Sequence, residues 1–437
     1  PMRFTKLFLL SFVFSSVALM GQTDKRIMRF DSLAEILSNE NQVIGSFSIY
    51  HNGEVFYEGS FAQSSPAQDE GSKLYRIGSI SKTFTATMVM KAVEEGELSL
   101  ESKLSEWFPQ VANADKITIK MMLGHRSGIH NFTDDDSYLQ IMEKEQSREA
   151  MLTRIASLES DFSPDSDFSY SNTNYVLLSY ILEDIYKQPI ANLLQEKIAN
   201  PLKLKSTYFY TTGAKKKGEQ ESFYWTGEWT KASNTHPSVP LGAGGIVSST
   251  GELCQFMRAL QEGKILEKNS VAQMKNGQAP GLGLFFYPFY SHSAYGHNGG
   301  IDGFVSHASY MAADDLAIAV CLNGARYPLN QLLIDLLSIY FEQEDYQLPS
   351  FEIVEVAVDD LKQYTGNYKS DHFPLDIKFF VEDGILKGQA TGQPSFPMEA
   401  RGNHVFEFKA ATIKVTFDPE TGTMVFEQGG QKLPFKR

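Results

Sequence analysis

The sequence predicts an α+β fold, an antiparallel sheet flanked by helices with a mainly α-helical insertion, followed by a small C-terminal antiparallel β domain. Three observations carry that prediction. Strand-like patterns occur at both ends of the first 345 residues, and helical patterns fill the stretch between them. Beyond a polar, acidic bridge at 343–350, the remainder alternates short strand patterns with turns. A chain of 437 residues, 42% hydrophobic and 12% aromatic, has enough apolar material for a large core and a second, smaller unit.

The elements follow in order. Residues 43–50 and 54–60 are rich in β-formers and flank His51-Asn52-Gly53; an Asn-Gly pair between such runs marks a hairpin. The domain is thus expected to open with antiparallel strands. From 79 to about 98 the pattern becomes helical and apolar on nearly every side (Ile80, Phe84, Ala86, Met88, Val89, Met90, Val93), as in a buried helix. Further helices are predicted at 149–157, 174–187, 189–197 and 250–261, separated by Gly, Pro, Ser and Asn clusters. Strands return at 282–287, 304–310 and 316–322, and an amphipathic helix at 329–342 closes the unit. In 351–437, Asp383-Gly384, Glu420-Thr421-Gly422 and Gln428-Gly429-Gly430 punctuate short strands.

The 39 basic and 53 acidic residues give a net charge of −14, which opposes binding to nucleic acid or anionic membranes. Arg3 and Lys6 precede an apolar stretch at 7–20 containing Ser15, Ser16 and Ala18 and ending near Gly21 and Gln22, the pattern of a signal peptide. That stretch is shorter than the roughly 20 residues needed to span a membrane. Residues 1–22 are therefore expected to be a leader, with the protein exported to the periplasm or secreted, and to be followed by domains at 23–345 and 351–437. Two cysteines, Cys254 and Cys321, are too few for a disulfide framework and read as buried small hydrophobes. No cofactor or metal is expected. His125 and His130 lack helical i,i+4 spacing, and neither H-x-H nor H-E-x-x-H occurs.

Three motifs carry chemistry. In Ser79-Ile80-Ser81-Lys82, the i,i+3 spacing puts the Lys82 amine and the Ser79 hydroxyl on one helix face, and burial favours a neutral amine able to take the serine proton. A helix start at Ser79 adds free backbone N–H groups for a developing oxyanion. In Tyr170-Ser171-Asn172, a phenol can relay a proton, and a carboxamide can bind a substrate carbonyl and the lysine amine. In His297-Asn298-Gly299-Gly300, small residues let a strand edge approach a substrate, while His297 either orients the reaction or meets a substrate carboxylate. The aromatic run from Phe285 to Tyr290 either lines a cleft or forms a buried strand edge, and Trp225 and Trp229 lie in a loop-like stretch.

In this order and spacing, the motifs resemble those of the serine β-lactamase/penicillin-binding-protein superfamily, in which S-x-x-K, Y-x-N and a K/H-x-G element line one cleft. The run from Leu123 through Gly124, His125, Arg126, Ser127 and Gly128 to Ile129 is similar to the family's L-L-x-H-x-S-G-L loop. Asn200-Pro201-Leu202 and the Gly242-Ala243-Gly244-Gly245 stretch match further segments. The resemblance runs from about Ile44 to Tyr340, and Tyr364-Thr365-Gly366-Asn367-Tyr368 resembles part of a lipocalin-like domain appended to such hydrolases. It implies a β-lactamase/transpeptidase-like fold and an acyl-enzyme mechanism. In that mechanism Ser79 is the nucleophile, Lys82 and Tyr170 move protons, and Asn172 and the segment from His297 to Gly300 bind substrate. Backbone N–H groups of Ser79 and Gly300 hold the oxyanion. His297 stands where class C β-lactamases usually carry lysine, closer to some D-alanyl-D-alanine carboxypeptidases and esterase-like relatives. The expected partner is a small-molecule or peptide substrate: an ester, an amide or a D-amino-acid peptide. The alternative is a ligand-binding or sensor protein of the same fold.

Overall fold

The described residues open with a helix where the sequence reading placed strands first. A computed structural model describes residues 24–61, 73–213, 215–275, 280–408, 411, 413–428 and 431–437, so the leader pattern at 1–22 lies outside the described residues. Helix α1 (Lys25–Asn39) is capped by the Asp24 carboxylate, which accepts from the Arg26 N–H. It buries Phe30, Leu33, Ala34 and Leu37, an i, i+3, i+4, i+7 stripe that was present in the sequence but hidden between the leader and the first hairpin.

Strands β1 (Val43–His51) and β2 (Glu54–Phe61) then form the predicted hairpin. Its two-residue turn has Asn52 and Gly53 at φ of 53° and 80°, the left-handed pair that Asn-Gly supplies. Four more strands, β3 (Phe285–Phe289), β4 (His292–Ile301), β5 (Phe304–Met311) and β6 (Leu316–Ala325), complete an antiparallel sheet in the order β2-β1-β6-β5-β4-β3. Strands from both ends of the domain thus share one sheet, as the β-α-β pattern requires.

Alternation along β6 sorts the two faces of the sheet. Leu316, Ile318, Val320 and Leu322 pack with α1 and α5 (Leu329–Tyr340). Ala317, Ala319 and Cys321 face the helical side, where small side chains admit α4 (Thr250–Gln261). Cys321 and Cys254 of α4 are both buried and free. Helix α2 (Ser81–Glu94) runs through this second core, with Phe84 stacked on Phe256 at 3.6 Å. Its threonines satisfy their hydroxyls internally: Thr83 donates to the Gly283 carbonyl (2.8 Å) and Thr85 to that of Gly242 (2.9 Å). Helix α3 (Asn172–Tyr186) lies against α2.

Several boundaries shift for local reasons. Ser79 sits in a 3-10 turn, Gly78–Ile80, just ahead of α2, which itself ends at Glu94. The predicted helix at 189–197 is Ile190–Leu194 running into a π turn, Gln195–Ala199. The predicted strand at 282–287 starts only at Phe285, because Gly283 adopts φ 81°. Trp225 and Trp229 belong to a two-stranded ribbon, Phe223–Trp225 with Trp229–Lys231, and not to a loop.

The C-terminal segment builds a four-stranded and a five-stranded antiparallel sheet around its own core, which includes Tyr368, Phe379, Phe406, Phe417 and Phe435. Among the described residues no helix is long and apolar enough to cross a membrane.

Candidate active site

The nucleophile position is set by backbone geometry before any side chain acts. Gly78, at φ 50°, turns the chain into the 3-10 segment, and a Cβ there would lie 2.6 Å from the Gly300 nitrogen. A Cβ on Gly299 would lie 2.1 Å from the Ile77 carbonyl oxygen. The two glycine-bearing segments therefore touch backbone to backbone, bringing β4 beside Ser79. Strand β3 pairs with β4 only as far as Gly296, opposite Phe285, so the stretch of β4 from His297 onward is left as the wall of a cleft.

Lys82 is fully buried on α2, one turn from Ser79. Its Nζ lies 2.9 Å from Ser79 Oγ, and it donates to Asn172 Oδ1 and to the Ala243 carbonyl, both at 2.7 Å. Burial alone holds the amine well below its ordinary pKa, and no carboxylate is paired with it. A neutral amine has two N–H groups and one lone pair. The two carbonyl oxygens take the N–H groups, and the lone pair is left for the serine O–H. Asn172 is oriented by its own donor, which reaches Thr133 Oγ1 at 3.0 Å, and by Asn131 Oδ1, which accepts its backbone N–H at 2.9 Å.

Tyr170 lies with its ring centroid 4.9 Å from Lys82 Nζ and lines the cleft together with Ser79. Burial raises the phenol's pKa, so the phenol is protonated and not a standing phenolate. His125 stacks on the Tyr170 ring at 4.3 Å, and its Nδ1 accepts the Ser171 N–H at 3.1 Å. That bond places the His125 proton on Nε2, and burial keeps the ring neutral. Ser127 donates to Asn174 at 2.7 Å and Tyr175 to the Leu123 carbonyl at 2.9 Å. The 123–133 loop is thereby fastened to the Tyr170–Tyr175 segment.

On the opposite wall, His297 Nδ1 donates to the Asn298 carbonyl at 2.5 Å, while its Nε2 is buried without a protein partner. Burial pushes this imidazole down to about 3, so it is neutral. The Asn298 side chain is turned away to His307, whose Nδ1 donates to Asn298 Oδ1 at 2.6 Å.

The cleft holds about 270 Å³, lined by Ser79, Tyr170, Phe285, Tyr287 and the segment from His297 to Gly300. Every residue proposed from sequence for substrate or catalysis thus meets at one place, with Lys82 and Asn172 behind Ser79. Phe285 and Tyr287 resolve as cleft wall. Sequence reasoning assigned no role to His125, whose signal was its place in the 123–129 loop, or to Ala243, which acts through a backbone oxygen that no side chain announces. Among the described residues no group of three or more His, Cys, Asp or Glu is placed to hold a metal ion.

Comparison with known proteins places this geometry. The family described as Beta-lactamase matches residues 30–336. Protein flp of Staphylococcus aureus (strain MW2) is 28% identical over 209 residues, 45% of this chain and 41% of that protein. The chain spans between about two fifths and two thirds of the length of the first curated relatives it matches. Among solved structures, a D-stereospecific amidohydrolase from Streptomyces sp. superposes with a TM-score of 0.63 at 26% identity, covering 71% of this chain and 98% of that one. The octameric penicillin-binding protein homologue from Pyrococcus abyssi shares the fold with a TM-score of 0.66 at 21% identity, covering 94% of this chain and 99% of that one. With a family match across most of the chain, and with Ser79, the buried Lys82 and Tyr170 gathered at its cleft, the chain belongs to the beta-lactamase family.

Proposed function

We infer that the protein hydrolyses a small ester, amide or D-amino-acid peptide through an acyl-enzyme on Ser79. The observation that carries this reading is the contact at Lys82: its buried amine, held well below the ordinary lysine pKa, lies 2.9 Å from the Ser79 hydroxyl while two carbonyl oxygens accept its N–H groups, so that in its neutral form the lone pair faces Ser79. Ser79 Oγ bonds to the substrate carbonyl carbon as its proton passes to Lys82. Backbone N–H groups of Ser79 and Gly300 carry the oxyanion. Lys82 passes that proton by way of Tyr170 to the departing nitrogen or oxygen as its bond to the acyl carbon breaks; an entering water then bonds to the acyl carbon, gives one proton to the same relay and through it to Ser79 Oγ as the acyl–oxygen bond breaks, and so frees the acid and restores Ser79. The likeness to a D-stereospecific amidohydrolase supports an amide of a D-configured acid among the substrates. The signal-peptide pattern at 7–20 supports action outside the cytoplasm.

The test is p-nitrophenyl acetate turnover together with intact-mass analysis after penicillin, on the parent protein and on Ser79→Ala. Serine-dependent ester release, or a serine-dependent adduct, is the expected result. Equal turnover by Ser79→Ala with no adduct on either protein would remove Ser79 as nucleophile.

A further inference from the structure

The walls of the cleft carry no fixed charge. None of the eight residues lining it is Lys, Arg, Asp or Glu. The two basic side chains on the segment that carries Ser79, Arg76 and Lys82, do not supply the cavity with a charge. Lys82 spends its Nζ on Ser79, Asn172 and Ala243, and burial disfavours its charged form. Arg76 is buried, ion-paired to Asp302 and laid over the Tyr210 ring at 4.5 Å; its remaining nitrogens are sealed from solvent.

His297 lines the cleft beside Ser79. Because a carbonyl oxygen only accepts, the contact to the Asn298 carbonyl fixes the His297 proton on Nδ1 and leaves a lone pair on Nε2. Nε2 is itself sealed from solvent, so the neutral ring offers an entering anion neither a cation nor an N–H donor. Phe285 meets the His297 ring edge to face at 4.9 Å, and Tyr287 does the same to His307 at 5.0 Å, giving the wall an aromatic surface. An anion entering this small cavity would give up hydration and find no countercharge. An aromatic or apolar group would bury its surface against the same wall.

We propose that the site is built for acyl donors uncharged beside the scissile carbonyl, amides and esters flanked by an aromatic or apolar group, and that it discriminates against substrates carrying a free carboxylate there. It is therefore an amidase or esterase type of site and not a carboxypeptidase. This rests on the acyl-enzyme reading above.

The experiment is a matched pair, N-acetyl-D-phenylalanyl-D-alanine and its C-terminal amide, cleaved at the same bond and differing only in charge on the leaving residue. We expect kcat/KM for the amidated peptide to exceed that for the free acid by at least about tenfold. The same ratio is read from inhibition constants when the peptides compete with p-nitrophenyl acetate. His297→Lys should shift the ratio toward the acid by about tenfold or more, while His297→Gln, of similar reach and uncharged, should keep the preference for the amide. A preference for the free acid, equal values, or binding of neither peptide would overturn the proposal while Ser79-dependent ester turnover left the functional reading intact. Ester turnover independent of Ser79 would instead overturn the functional reading and this inference with it.

Discussion

At the residue scale, the proposed chemistry turns on one lysine, whose state depends on what surrounds it. Lys82 can serve as the proposed base only when neutral, so kcat/KM should rise with pH as the residue loses its proton, and burial sets that rise well below the ordinary lysine range. Asn172→Asp puts a carboxylate where Oδ1 now lies 2.7 Å from Nζ. The charged amine is then favoured, and the acid limb of the profile should move up by at least about one pH unit. An unmoved limb in a pH–rate series would mean that Lys82 is not the titrating base. Ser79 and Lys82 were legible because three residues on a helix are neighbours whatever the tertiary fold. The proton positions on His297 and His125 were not, because each depends on one hydrogen bond and on burial supplied by distant segments.

At the element scale, the site depends on how closely β4 approaches the 3-10 turn. Gly299→Ala would place a methyl 2.1 Å from the Ile77 carbonyl oxygen, and a backbone atom cannot swing aside as a flexible side chain does. The strand must retreat from Ser79, and a displacement on the order of 1 Å costs about 10² in rate. Gly300→Ala, with nothing nearer than the Phe304 carbonyl oxygen at 4.0 Å, should leave the strand in place. Circular dichroism beside steady-state kinetics separates a shifted strand from a lost fold, and full activity in Gly299→Ala would refute the close approach. Most elements could be read from periodicity and turn chemistry, as the Asn52-Gly53 hairpin and the all-round apolar pattern of α2 illustrate. The π turn after Leu194 and the two-stranded ribbon at Trp225 and Trp229 could not, since short irregular elements follow from packing and not from local pattern.

At the scale of the whole molecule, the C-terminal β unit has its own core, and a charge of that unit bears on a buried group of α5. There Asp335 is buried, accepting from Tyr327 at 2.8 Å and Gln331 at 2.9 Å, with Lys414 of the C-terminal unit the facing charge. Burial pushes its carboxyl up to about 7. The folded pKa lies above the unfolded value of about 4, so between those values the folded state keeps a proton the unfolded chain releases. The resulting stability is present at low pH and lost as pH rises through about 7. Asp335→Asn should flatten this slope and raise the melting temperature at pH 8 by a few degrees, with little change near pH 4. An unaltered slope in thermal melts across that range would exclude Asp335 as its source. The sequence by itself determined what is local: the hairpin turn, the alternation of β6, the buried α2 and the pairing of Ser79 with Lys82. Only the tertiary structure decided that Asn172 and the Ala243 carbonyl, 90 and 161 residues from Lys82, would take its protons, and that β4 would meet Ser79 with a neutral His297. Local periodicity encodes which residues share a face, whereas a backbone oxygen carries no residue label and a protonation state exists only once burial and partners are fixed.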